Sequence, residues 1–194
     1  MSIVSFIVIA IAFGISAMLL MRRCTEAAPV MLSSGLLISF TVAVVHVALF
    51  CLGILLGNML RFELPGEPEA FLKPNAFVFL GLAIMVSIKM MWPYMGRKTQ
   101  PVAYDLNAGV FRVLLFTIAT GVNGFLLGVG AGFVTPLAGH FHRAFWPLFV
   151  ATFLFSYFGI MYGRQQVKLR PRRWMVVSAV ILIVTAIAAV VNAG

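Results

Sequence analysis

The chain reads as an all-α integral membrane protein of six transmembrane helices. Three observations predict this. Hydrophobic residues make up 62% of its 194 residues and charged residues only 10%, more apolar surface than a water-soluble domain of this length can hide. The apolar residues gather in six runs, each long enough to cross about 30 Å of hydrocarbon. The five acidic residues, Glu26, Glu63, Glu67, Glu69 and Asp105, all fall in the connections between those runs.

The first run, Ile3–Met21, is read as a retained helix and not a signal peptide. Met1 to Ser5 carries no Lys or Arg, and the run is long enough to span. The second, Val30–Leu60, is long enough to be tilted, or to begin in the interface after Pro29. Ala76–Tyr94, Phe111–Val134, Phe145–Gly163 and Trp174–Val191 complete the set. The connections Arg61–Asn75, rich in Pro and Glu, and Met95–Val110 read as solvated loops with no room for a soluble domain. Trp92, Tyr94, Trp146 and Trp174 stand near run ends, where amphipathic rings anchor to the interface.

A net charge of +9 raises the question of nucleic acid as a partner. The positions argue against it, because the cations sit in short loops as anchors and orientation signals. Arg22 and Arg23 follow the first run, Arg97, Lys98 and Arg112 the third, and Arg164, Lys168, Arg170, Arg172 and Arg173 the fifth. The other side holds only Arg61, Lys73 and Arg143. This excess predicts a cytoplasmic position for the first group, and therefore outward-facing termini. Cys24 and Cys51 form neither a metal-ligand spacing nor a disulfide framework.

The six runs divide into two copies of a three-helix unit, residues 1–96 and 97–194. Ala12–Phe13–Gly14–Ile15–Ser16 parallels Ala119–Thr120–Gly121–Val122–Asn123. Leu52–Gly53–Ile54–Leu55–Leu56–Gly57 parallels Phe158–Gly159–Ile160–Met161–Tyr162–Gly163. A unit of three crossings ends on the opposite side of the membrane, so its copy is inverted. Inverted repeats are a common transporter design, with the cargo site near mid-membrane between them.

Few polar residues lie inside the runs. His46 is either a metal ligand or protonatable gate, or a packed ring hydrogen-bonded to a neighbour. Asn123, among Gly121, Gly124, Gly128, Gly130 and Gly132, either bridges close-packed helices or offers its carbonyl to an ion. Those glycines also permit a helix break that would expose backbone carbonyls. Lys89 either snorkels to the interface beside Trp92 or places an internal cation. Met18, Met21, Met85, Met90, Met91 and Met95 read as flexible apolar filler, with a thioether path for a soft metal as the alternative. His140–Phe141–His142 shares a face only in an extended segment, and reads as an ordinary loop. No nucleotide loop, nucleophile elbow or zinc-protease pattern is present, so neither a catalytic residue nor a cofactor is assigned.

Beside this reading stands a resemblance. Phe116–Thr117–Ile118–Ala119–Thr120–Gly121–Val122–Asn123–Gly124–Phe125–Leu126–Leu127–Gly128–Val129–Gly130 looks like a helix of the small bacterial manganese efflux pump family (MntP-type, in the LysE-like transporter superfamily), approximately T-x-I-A-T-S-L-D-A-x-A-V-G-V-G. Ala12–Phe13–Gly14–Ile15–Ser16–Ala17–Met18 is similar to its A-F-G-x-S-x-D. Lys89–Met90–Met91 resembles part of its G-x-K-M-I-x-E, without the glycine, and Tyr162–Gly163–Arg164 its G-R. The resemblance implies a multi-pass exporter of the bacterial inner membrane, with the lipid bilayer as solvent and a divalent or soft metal ion as cargo.

The departures change the chemistry. The family's membrane aspartates correspond to Met18 and Asn123, a third-helix glutamate to Pro93, and a second-helix glutamate to a position near His46. Mn²⁺ is a hard ion suited to carboxylates, so the resemblance implies the family's mechanism with altered cargo. The expected site lies between the first and fourth runs, at Ser16, Met18, Thr120 and Asn123, with His46 and Lys89 nearby and His46 and Asn123 as the metal-binding pair. A second reading is a membrane subunit that keeps the exporter fold without transport. It would assemble with itself or with partners through glycine-faced helices or the basic loop Arg164–Arg173.

Overall fold

The computed structural model describes residues 3–27, 30–61, 72–95, 106, 110–135 and 141–192. They form α1 (Ile3–Ala27), α2 (Leu32–Met59), α3 (Leu72–Met95), α4 (Val110–Val134), α5 (Phe141–Arg164) and α6 (Pro171–Val191). All six helices are long and apolar enough to cross a membrane. Leu36, Leu37, Phe40, Phe77, Ile88, Val180 and Val184 are exposed on their outer faces, as lipid-facing positions are in the absence of lipid. The chain is a multi-pass membrane protein.

Several helix ends differ from the sequence expectation: α3 begins at Leu72 and not Ala76, and α5 at Phe141 and not Phe145, so that Phe141 and His142, read as loop, are helical. Two C-terminal ends have local reasons. α1 runs on past Met21 through the two arginines. Arg22 pairs with Glu26 one turn later, Thr25 donates to the Met21 carbonyl at 2.9 Å, and the Arg23 guanidinium lies 6.0 Å from the Tyr94 ring centre. These contacts hold as helix what the charges alone mark as loop. α5 ends where Gln166 turns left-handed, at φ 51°, and the Val167 amide donates to the Tyr162 carbonyl at 3.0 Å. This is a Schellman-type stop, after which Pro171 starts α6 at a position whose amide needs no partner.

α1 packs along α5 and α2 along α4, each pair running parallel, while α3 packs against α6. Further contacts join α2 to α5, α3 to α4 and α1 to α6. Glycines set the two parallel pairings. A Cβ on Gly53 or Gly57 of α2 would overlap the carbonyls of Phe125 or Val129 of α4. A Cβ on Gly159 or Gly163 of α5 would overlap those of Met18 or Arg22 of α1. Backbones approach this closely only where a side chain is missing, and in lipid such packing supplies much of the association.

Interhelical hydrogen bonds add to it. Ser178 donates to the Ala12 carbonyl at 2.8 Å and Asn58 Nδ2 to the Thr135 carbonyl at 3.1 Å. Asn58→Leu removes that bond and the one to Ile54 at 3.0 Å. It is expected to cost about 1–2 kcal/mol in a detergent-titration unfolding assay, by leaving the buried end of α4 unpaired.

The alternating direction of the helices gives the bundle a basic end, formed by the C-termini of α1, α3 and α5 and the N-termini of α2, α4 and α6. Arg22, Arg23, Arg112 and Arg164–Arg173 lie there. Arg97, Lys98, Glu63, Glu67, Glu69 and Asp105, and the side chains of Lys73 and Arg143, lie outside the described residues. So do His140 and the side chains of Phe141 and His142.

Candidate functional site

A cavity of about 240 Å³ lies among α1, α2, α3, α4 and α6. Its floor is polar. Ser16 comes from α1, His46 from α2, and Thr120 and Asn123 from α4. Toward the basic end the walls are Leu20, Met175 and the last turns of α3, with Lys89, Pro93 and Tyr94. Lys89 is solvent-exposed and Leu20 partly so, and both lie toward the basic end of the bundle. At the other end of the bundle two of the helices pack backbone to backbone. There α2 and α4 close on each other through Gly57 and Gly132, and Asn58 ties the end of α4.

The floor is held by a short hydrogen-bond chain. Thr120 Oγ1 lies 3.0 Å from the carbonyls of both Phe116 and Thr117, so its hydrogen points to its own helix. His46 Nε2 is 3.2 Å from the same oxygen, and in the tautomer that suits this geometry Nε2–H donates to its lone pair. The neutral ring then carries its free lone pair on Nδ1. That atom is buried without a hydrogen-bond partner, and so is Asn123 Oδ1. Two unpaired acceptors, one nitrogen and one oxygen, belong to residues lining one cavity. Gly121 lets them be there, because a Cβ at that position would press on Leu49 and on His46 Cδ2, at 2.5 and 3.1 Å.

Five of the six expected site residues meet in this cavity: Ser16, His46, Lys89, Thr120 and Asn123. Met18 does not. It is 6% exposed and turns its backbone to Gly159 on α5. Pro93, where the resemblance places a glutamate, is in the wall. So are Phe13, Tyr94 and Met175, which nothing in their sequence context marks. Of the methionines weighed as a soft-metal path, Met90 reaches the cavity, Met21 is in the core, and Met85 is 45% exposed to the outside. The described ones form no continuous path, and the side chain of Met95 lies outside the described residues.

The charge balance is unusual for a cation site. Among the described residues no carboxylate lines the cavity, and Lys89 brings a positive charge to it. Glu26, the acid described nearest in the chain to this end, is engaged with Arg22. Among the described residues no group of three or more His, Cys, Asp or Glu side chains could hold a metal ion. The ligands on offer are neutral: an imidazole nitrogen, an amide oxygen and hydroxyls.

No curated protein sequence and no solved structure matches the chain. One protein family does, described as "Putative manganese efflux pump" (Mntp), over residues 29–190. That span takes in five of the six apolar helices and all of the cavity except its α1 wall. With a membrane bundle and a polar-floored cavity already in place, a match over most of its length means that the chain belongs to the manganese efflux pump family.

Proposed function

We propose that the chain is a secondary transporter that works by alternating access between two inverted halves, 1–96 and 97–194, with the cavity as its cargo site in the inward-facing state. The observation that carries this reading is the cavity itself: polar at its floor and set toward the basic end of the bundle, while α2 and α4 pack backbone to backbone at the other end.

The packing register supports the two halves. Gly53 meets Phe125 as Gly159 meets Met18. Gly57 meets Val129 as Gly163 meets Arg22. Gly121 meets Leu49 as Gly14 meets Phe155. One constant shift along the chain carries every α2 member of these pairs onto its α5 counterpart, and another carries every α4 member onto α1. The helix pairings also survive the exchange, since α1–α5 becomes α4–α2 and α3–α4 becomes α6–α1. Each half contributes one helix of each parallel pair.

The basic end faces the cytoplasm of a bacterial inner membrane, and both termini lie outside, because Lys and Arg are retained on the cytoplasmic side. The cargo differs from a bare Mn²⁺. That ion prefers hard oxygen ligands, carboxylates above all, whereas an imidazole nitrogen suits ions such as Fe²⁺, Zn²⁺ or Cu⁺. His46 Nδ1 and Asn123 Oδ1 are the ligands, with the hydroxyls of Ser16 and Thr120 beside them.

The reading is tested in liposomes that hold the purified chain and are loaded with Mn²⁺, Fe²⁺, Zn²⁺ or Cu⁺ in turn. At least one ion is expected to leave faster than from empty liposomes, and Asn123→Ala and His46→Ala to slow it. Equal release in every case ends the proposal. Lys89→Met is expected to tighten binding of a divalent ion severalfold in a direct titration. Like charges repel across the cavity, and water at the open mouth weakens that repulsion without removing it.

A further inference from the structure

The repeat register describes a state that is not the one observed. Inverted halves exchange conformations when a carrier turns over, so each residue of the open cavity has a counterpart lining the cavity of the opposite state. The two shifts read from the glycine contacts name those counterparts. Ser16 and Asn123 exchange with each other, and so do Phe13 and Thr120. These four therefore line both cavities. Four others change place: His46 exchanges with Thr152, Ala17 with Gly124, Leu20 with Leu127, and Ala119 with Ala12.

We infer that a second, closed vestibule, lined by Thr152 of α5 and Leu127 of α4, leads from Phe13, Ser16, Thr120 and Asn123 to the face opposite the basic end, and that Thr152 is the cargo-contacting residue there, as His46 is in the open cavity. This rests on the alternating-access reading and adds to it the residues of the unseen state.

Two observations outside the register agree with it. In two of the pairs the counterpart is shut where the original is not: Ala119 is exposed and Leu20 partly so, whereas Ala12 and Leu127 are both 0% exposed; His46 and Thr152 are both buried. The second concerns a polar atom. Thr152 is fully buried on the α5 face of the bundle interior, and its hydroxyl has no hydrogen-bond partner. Such a group is costly to keep in a dry, apolar interior and is usually bonded back to its own helix. A hydroxyl that is hydrated or cargo-bound in the other half of the cycle has a reason to be there. Thr152 also answers the asymmetry of the site. The inner vestibule offers the cargo a ring nitrogen and the outer one only a hydroxyl, so an ion that prefers nitrogen is held more loosely on the side where an exporter releases it.

Cysteine accessibility tests this in a Cys24→Ser, Cys51→Ser background, with a membrane-impermeant methanethiosulfonate reagent added to right-side-out or inside-out vesicles. Ser16→Cys is expected to react from the basic face. Thr152→Cys and Leu127→Cys are expected to react from the opposite face, at least tenfold faster than the cysteine-free parent. Two positions are used so that a folding defect in one, seen as loss of a monodisperse peak in gel filtration, leaves the other decisive. If Ser16→Cys reacts from the basic face while Thr152→Cys and Leu127→Cys stay inert on both faces, the vestibule does not exist, although transport stands. Reaction of Thr152→Cys or Leu127→Cys from the basic face also overturns the inference. If Ser16→Cys is inert on both faces, the cavity is not a pathway and the parent reading falls with it.

Discussion

Asn123→Asp is expected to raise the affinity of the purified protein for Mn²⁺ by at least about tenfold, or about 1.4 kcal/mol. Asn123 stands on the cavity floor with Ser16, Thr120 and His46, and its Oδ1 has no hydrogen-bond partner. The substitution changes charge and almost no shape. At roughly 4 Å and an effective dielectric near 20, a carboxylate attracts a dication by about 8 kcal/mol. Removing the carboxylate from water takes back several kcal/mol of that, and a clear gain is left. A calorimetric or fluorescence titration with MnCl₂ measures it.

Met18→Asp, at the other position where the resemblance places an aspartate, is expected to give no such gain. Met18 packs against Gly159 of α5 and lies outside the cavity. A charge there has no ion to meet, and the variant is expected to lose several kcal/mol of stability. If Asn123→Asp leaves Mn²⁺ binding unchanged, Asn123 is not a cargo residue.

Gly159→Ala is expected to destabilise the bundle by about 3 kcal/mol or more, because one added carbon overlaps the Met18 carbonyl and two backbones must part to admit it. Gly57→Ala, against the Val129 carbonyl, is expected to do the same to the α2–α4 pair. Gly81→Ala is the control. A Cβ there meets nothing within 4 Å, so the change is expected to stay within about 0.5 kcal/mol. Unfolding in mixed detergent micelles, followed by circular dichroism, separates them. Equal stability of the Gly81 and Gly159 variants would show that the close approach between α1 and α5 is not what holds those helices.

Much of this was legible in the chain before any contact was known. Lipid imposes one rule on every span: satisfy the backbone internally and show apolar side chains. Twenty-odd apolar residues between polar stops can obey it in one way, as a helix, so the six spans and the membrane class follow from composition and spacing alone. The basic loops and the bare apolar faces follow too. The end of α1 did not, because the ion pair of Arg22 with Glu26 and the stacking of Arg23 on Tyr94 depend on where a helix turn and a neighbouring helix place those groups. The glycine motifs of α2 and α5 were visible as motifs. That each faces a carbonyl of a parallel partner was not, since a glycine does not name its neighbour.

The site divides along the same line. The sequence by itself determined that no carboxylate stands inside the spans. Only the tertiary structure decided which polar residues act together. Ser16 and Met18 are two positions apart, which on a helix is about 200° of rotation, so one can face the cavity only if the other faces away. The crossing of α1 with α5 turns Met18 outward from the site and leaves Ser16 opposite Asn123. Rotation about the axis of a uniformly apolar helix leaves no trace in its composition, and only packing against the neighbouring helices sets it.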